Sequence, residues 1–420
     1  MLDLNKIYCM DCIEGMKLLD DNSIDSIVTD PPYELGFMGK IWDASGIAYN
    51  VEMWKEVLRV LKPGGYLLSF GGTRTYHRMA CAIEDAGFEI RDQIQWIYGS
   101  GFPKSLNIGK AVDKLQNIKR EIIGYKEPFG REGRNTKPTG QYNSGIGNNF
   151  TNEKDLRPIY KNVSEWYGWG TALKPANEPI CVARKPISEK TVAENVLKFG
   201  TGGINIDACR IGSELLQING KNNDNLFHGH FSGNIDNNTR LGRFPSNVIH
   251  DGSEEVLNLF PDSKGDSKNR KKRKSINGTS QFNIGVNGQE SDGYFDSGSA
   301  ARFFYCAKAS KTERNLGLDQ FEKKSTPNYM SGDEYRLDGK KVAQNYNIHP
   351  TVKPLKLIKY LVRLVTPKKG IVLDPFMGSG TTGMAAKSEG FKYIGFDMTQ
   401  EYVDIANARI KAIQYQKKLF

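Results

Sequence analysis

Two short stretches carry residue types that could do chemistry. The first, IDSIVTDPPYELG at residues 24–36, runs from apolar β-branched residues into Asp30, Pro31, Pro32 and Tyr33. Ile24, Ile27 and Val28 suit a strand, and the prolines stop it. Nothing in that folding argument requires a carboxylate and an aromatic ring at the stop. The second, GIVLDPFMGSGTTG at residues 370–383, reads as a strand, a glycine turn and a helix start. Gly378, Gly380 and Gly383 have the GxGxxG spacing, which lets backbone approach a ligand closely, and Asp397 follows at the tip of the next strand. An acid placed there can accept hydrogen bonds from both hydroxyls of a ribose. The glycines alone would fit a plain tight turn; with the acid they favour a nucleoside-containing cofactor.

Both stretches need a sheet to hold them. Strand-like runs at residues 5–9, 24–30, 65–72 and 88–99 alternate with helical patterns at 49–61 and 74–87. Lys62-Pro63-Gly64-Gly65 is expected to stop the first helix. From residue 349 the same alternation returns: a helix (354–365), a buried strand (369–375), a helix (381–390), a strand (392–398) and an amphipathic helix (401–413). Strands alternating with helices predict a mostly parallel sheet, here an α/β fold assembled from both chain ends.

The 420-residue chain has 38% apolar and 10% aromatic residues, enough for a core, and a formal net charge of +10 that favours an anionic partner. Between the two ends Asn, Gly, Ser and Lys dominate and periodicity is poor, as in a functional insertion. Two apolar islands, NEPICVARKPI (177–187) and ARFFYCAKAS (301–310), look like strands. Residues 264–274 hold seven basic residues against Asp266, and Lys271, Lys272, Arg273 and Lys274 are candidate phosphate contacts. Phe37 and Trp42 could form an aromatic lid or pack as core; Trp166 and Trp169 could stack on bases but more simply pack. Cys9 and Cys12 form a CxxC with no second pair at zinc spacing, and His228 and His230 have no third ligand, so no metal is expected. The six scattered cysteines read as reduced thiols, and no apolar run reaches the ~18 residues of a membrane span.

The DPPY of Asp30 to Tyr33, upstream of DPFMGSGTT at residues 374–382, resembles the amino-group DNA methyltransferases. The order of the two motifs, with a long region between them, is similar to the β class of that family. HPTVKP (349–354), LKPGGYL (61–67) and Asp11-Cys12 add to the likeness, which covers roughly 200 residues. The resemblance implies a Rossmann-like S-adenosylmethionine-dependent methyltransferase fold, circularly permuted, with a large inserted target-recognition region. Expected boundaries are a catalytic half (1–104), an insertion (105–164), a late sheet strand (165–187), the target-recognition region (188–345) and a cofactor-binding half (346–420).

By the same resemblance S-adenosyl-L-methionine is the cofactor. Asp11 and Cys12 would lie at its adenine and Asp397, where the family more often has Glu, at its ribose. Asp374, Phe376, Gly378, Ser379, Gly380 and Thr381 would line the methionine and ribose region, with His349, Thr351 and Lys353 closing the methionine end. The catalytic group would be Asp30, Pro31, Pro32 and Tyr33. The Asp30 carboxylate and the Pro31 carbonyl accept from an exocyclic amine, the prolines fix that carbonyl, and Tyr33 stacks on the flipped base. Adenine N6 in double-stranded DNA is the expected target. Cytosine N4, RNA, a protein amide or a DNA-binding chain without catalysis are the alternatives. The protein is expected in the cytoplasm, associated with the nucleoid through DNA, as a monomer or a homodimer.

Overall fold

The structure, a computed structural model, describes residues 2–35, 45–101, 105–118, 121–126, 157–160, 164–217, 239–263, 298–307, 312–325 and 344–413. Phe37, Trp42, His228, His230, Lys271, Lys272, Arg273 and Lys274 lie outside the described residues. The chain forms two compact units. One comprises Met1–Ser100, Asn177–Lys324 and Gln344–Phe420, the other Gly101–Ala176 and Ser325–Ala343.

The larger unit is built on a sheet of nine strands among the described residues. In chain order they are β1 (Lys6–Cys9), β2 (Ile24–Thr29), β3 (Leu61–Phe70), β4 (Glu89–Ile97), β5 (Asn177–Arg184), β6 (Val248–His250), β7 (Tyr305–Cys306), β8 (Ile371–Asp374) and β9 (Lys392–Asp397). Their spatial order is β1-β9-β8-β2-β3-β5-β4-β6-β7. Neighbours are parallel except β5, which runs antiparallel to β3 and β4. Helices α1 (Cys12–Lys17), α2 (Val51–Val60), α3 (Tyr76–Asp85), α5 (Val192–Phe199), α6 (Glu254–Leu257), α7 (Leu355–Val365), α8 (Thr381–Glu389) and α9 (Gln400–Ala412) belong to this unit, and α4 (Ile108–Leu115) to the other.

β2 is buried at all six positions, as a parallel strand covered on both faces must be. Its alternate residues serve two cores. Val28 packs in a cluster with Leu357 and Tyr360 of α7, Met384 of α8 and Val403 of α9. Ile27 packs in a second with Met16 of α1, Trp54 and Val57 of α2 and Ile83 of α3. In α2 the buried Met53, Trp54, Val57 and Val60 form one stripe, and Asn50 caps its start by accepting from the Glu52 N–H.

Two details depart from the sequence reading. Helix α2 already ends at Val60, and Lys62-Pro63-Gly64-Gly65 lies inside β3. There the pairing with β2 slips between Ile24–Leu61 and Ser26–Tyr66, and Gly64 takes a φ of 77°. The span expected as a separate recognition region also supplies two sheet strands, β6 and β7, and its residues up to Lys324 belong to the larger unit. In the smaller unit Ile122–Lys126 pairs antiparallel with Arg157–Tyr160. There Trp166 and Trp169 meet edge to face with centroids 5.4 Å apart. Among the described residues no helix is long and apolar enough to cross a membrane.

Candidate active site

After β8 the chain continues to β9 on one side, and after β2 to β3 on the other. The carboxyl ends of these adjacent strands are therefore a topological switch point, where open α/β sheets bind their ligands. Both singled-out motifs arrive there: Asp30 follows β2, and Asp374 ends β8.

Around Asp30 the structure gathers residues that are far apart in sequence. The Lys353 ammonium lies 2.5 Å from Asp30 Oδ2 and 3.3 Å from Glu178 Oε2. The Tyr33 hydroxyl donates to the same Glu178 oxygen at 2.8 Å, and the Thr75 hydroxyl donates to the Tyr33 carbonyl at 2.7 Å. Lys353 sits 5.2 Å from the Tyr33 ring centre and 5.0 Å from that of Phe70, within cation–π range. Asp30 Oδ1 is buried and has no hydrogen-bond partner among the described residues. Burial, then the Asp30 and Glu178 charges, hold the Tyr33 hydroxyl well above its ordinary range, so it stays a neutral donor. For Lys353 burial pulls downward, but the two carboxylates outweigh it and the net shift is upward. Just beyond, Glu34 takes a left-handed φ of 54° and accepts from the Gly46 N–H at 2.8 Å, fixing the exit of the chain from Tyr33.

The glycine turn is braced from below. Gly380, at φ 83°, opens α8, and a Cβ on it would stand 2.7 Å from Ala406 Cβ; one on Gly378 would stand 2.7 Å from His349 Nε2. Asp397 accepts from the Gly378 N–H at 3.0 Å and from the Thr399 N–H at 2.8 Å, one on each carboxylate oxygen, and burial raises its pKa. Fully buried Arg409 donates to the Ser379 carbonyl (2.5 Å), the Ser379 hydroxyl (2.9 Å) and the Thr381 hydroxyl (3.3 Å). Its other amino group reaches the Glu313 carbonyl at 3.1 Å, and burial lowers its pKa to about 10. Asp374 Oδ1 accepts from the Thr29 hydroxyl (2.6 Å) and the Phe376 N–H (3.0 Å); burial brings this carboxyl up to about 6. Phe376 packs at the edge of the second core.

The remaining expected residues fall around this turn. Asp11 caps α1, its Oδ1 accepting from the N–H groups of Ile13 and Glu14, and the buried Cys12 thiol is pushed up to about 12 by burial and then by Asp11. His349 Nδ1 lies 2.8 Å from the Thr351 carbonyl, its ring meets Tyr402 edge-on, and desolvation lowers its pKa to about 4. Lys353, expected beside His349 and Thr351 at the cofactor, instead makes its contacts in the Asp30 group.

Sequence reasoning passed over Glu178, Thr75 and Arg409. Glu178 had a usable signal: a carboxylate at the head of an apolar strand, as unexplained by folding as Asp30. Arg409 had none, because an arginine in an amphipathic helix is ordinarily on its wet face.

The sheet order, the antiparallel β5 and the glycine turn at the switch point define a Rossmann-like α/β fold. The chain belongs to the N6/N4 methyltransferase family: the model of that family, described as DNA methylase, matches residues 24–408. The chain is 44% identical over 73 residues to the Type II methyltransferase M2.DpnII of Streptococcus pneumoniae, covering 17% of this chain and 27% of that relative. It is 45% identical over 62 residues to the Type II methyltransferase M2.LlaDCHI of Lactococcus lactis subsp. cremoris, covering 15% and 23%. The aligned stretches thus span about a quarter of these curated relatives. Among solved structures, the M1.HpyAVI–SAM complex is 16% identical with a TM-score of 0.37, covering 96% of this chain and 98% of that one. The cytosine-N4-specific PvuII DNA methyltransferase is 14% identical with a TM-score of 0.40, covering 96% and 85%.

Proposed function

We propose that this chain transfers a methyl group from S-adenosyl-L-methionine to the exocyclic N6 amine of a flipped adenine in double-stranded DNA, at a specific site. The observation that carries the reading is Asp30 Oδ1, a buried carboxylate oxygen at the switch point without a partner among the described residues, three positions before Tyr33. An amine conjugated to a ring is a poor nucleophile; accepting its N–H groups at Asp30 and at the Pro31 carbonyl frees the lone pair for attack. Tyr33 stacks on the extruded base and offsets part of the unstacking cost.

The glycine turn fits a nucleoside-bearing ligand. Asp397 retains lone pairs beyond its two backbone bonds, and Gly378 and Gly380 keep the turn free of side chains. Asp11, Cys12, Phe376, Ser379, Thr381, His349 and Thr351 would complete the surround, with Asp374 holding the start of the turn from beneath, and the cofactor would supply an electrophilic methyl group. The formal charge of +10 and the basic residues Lys271 to Lys274 suit a DNA backbone. The Type II relatives favour a role in restriction–modification.

Labelled-methyl transfer to unmethylated DNA, followed by nucleoside mass analysis, tests the reading. N6-methyladenine from the wild type and none from Asp30→Ala is the expected result. N4-methylcytosine would overturn the base assignment, and no transfer to DNA would overturn the substrate.

A further inference from the structure

We propose that Lys353 and Glu178 form a clamp that positions Asp30 and Tyr33 for the target base and leaves their pocket with one net negative charge. The inference rests on the methyl-transfer reading. Lys353 is 8% exposed and comes from the segment just before α7, while Glu178 stands near the head of β5. The Lys353 ammonium engages Asp30 through Oδ2, which fixes that carboxylate and leaves Oδ1 as the open acceptor among the described residues. Glu178 Oε2 receives both the ammonium and the Tyr33 hydroxyl, so Tyr33 is held at its hydroxyl by Glu178 and at its backbone carbonyl by Thr75.

Charge gives the pair a second task. An amine attacking a methyl group becomes positive as the new bond forms, so the site gains from a negative surround at that moment. Asp30 with Lys353 alone would sum to zero. Glu178 restores one negative charge while Lys353 still holds Asp30 in place. Both are positioning residues, acting on the base through Asp30 and Tyr33, and Lys353 moves from the cofactor end to this group.

The test uses the full chain with Glu178→Gln, Lys353→Gln and the double variant. It reads kcat and KM on DNA that the wild type methylates, S-adenosylmethionine affinity by calorimetry, and unfolding midpoints. Glu178→Gln keeps an acceptor for Tyr33 and loses only the charge, so kcat should fall about tenfold or more with cofactor affinity within twofold of wild type. Lys353→Gln should likewise lower kcat and spare cofactor affinity. The double variant returns the pocket to one negative charge and should turn over at least as fast as Glu178→Gln. Losses that multiply in the double variant would overturn the clamp. A tenfold loss of cofactor affinity in Lys353→Gln alone would also overturn it, returning Lys353 to the cofactor. If the wild type transfers nothing to DNA, the functional reading fails separately. The clamp then stands or falls on the midpoints, where coupled shifts support it and additive shifts overturn it.

Discussion

Adjacent strands β2 and β8 both run into Asp–Pro, yet the two aspartates do different work. Asp374 is 3% exposed and serves the fold: its Oδ1 takes the Thr29 hydroxyl and the Phe376 N–H, tying the neighbouring strand and the start of the glycine turn together. Asp30 has a lysine on one oxygen and, among the described residues, no hydrogen-bond partner on the other. The difference begins two residues downstream. Phe376 donates its N–H back to Asp374, a local turn common for Asp; the equivalent residue after Asp30 is Pro32, which has no N–H to give. The second proline withholds the local partner and so leaves that oxygen open, as the proposed role of an acceptor requires.

The largest expected effect separates the two acids by function. Asp30→Ala should lower the methyl-transfer rate about a thousandfold, roughly 4 kcal/mol of activation free energy, with little change in unfolding free energy. Lys353 would still have Glu178 as a counter-ion. A variant that loses stability in proportion to activity would make Asp30 structural, like its neighbour. Asp374→Ala should do the reverse. It leaves the Thr29 hydroxyl and the Phe376 N–H unpaired in the interior and should cost about 2–4 kcal/mol in denaturant unfolding. A loss of activity with unchanged stability would erase the contrast.

The titration of Asp374 sharpens it further. In the folded chain this carboxyl titrates at about 6, pushed up chiefly by burial, against an ordinary value near 4. Folding therefore takes up a proton between those values. The group's contribution to stability is greatest below about pH 4 and falls as pH rises through 6. Asp374→Asn removes the titration. The wild type should gain up to about 3 kcal/mol relative to the variant when the pH is lowered from 7 to 4. His349, lowered to about 4, contributes with the opposite sign, since its stabilisation is present above about 6.5 and lost as pH falls through 4. The difference between the two chains, in which His349 cancels, is therefore the quantity to measure. A difference that does not vary with pH would show that Asp374 is as well solvated as an ordinary carboxylate.

How much of this was legible in the sequence depends on the range of each interaction. The parallel sheet, both Asp–Pro strand ends and the glycine turn are local patterns of apolar alternation, proline and glycine, and they stand where the periodicity put them. The partners of those residues are not local. Asp30 meets Lys353 across 323 positions and Tyr33 meets Glu178 across 145, so no periodicity links them. One short strand escaped for a related reason. β6 has three residues and pairs with β4 and β7, which the rest of the fold brings to it. The Tyr305–Cys306 island was visible as an apolar run, whereas Val248–His250 was hidden in polar sequence.

The smallest expected effect bears most directly on why the two ends differ. Pro32→Ala supplies a backbone N–H at the position from which Phe376 serves Asp374. If the withheld donor is what leaves Asp30 open, the new N–H should be drawn to Asp30 Oδ1 in competition with the target amine. The transfer rate should then fall about tenfold, the equivalent of one ordinary hydrogen bond diverted from the transition state. Cofactor affinity should stay unchanged, and unfolding free energy should stay within about 1 kcal/mol, because a new local bond offsets part of the added freedom of the unfolded chain. Pro32→Gly adds the same donor with more freedom and should lose at least as much activity. Substituting Pro32 with Val, which also carries an N–H but favours extended backbone, should lose less. Equal activity in all three would mean that the proline acts only as a stop to β2, and that Asp30 owes its open oxygen to Lys353 alone.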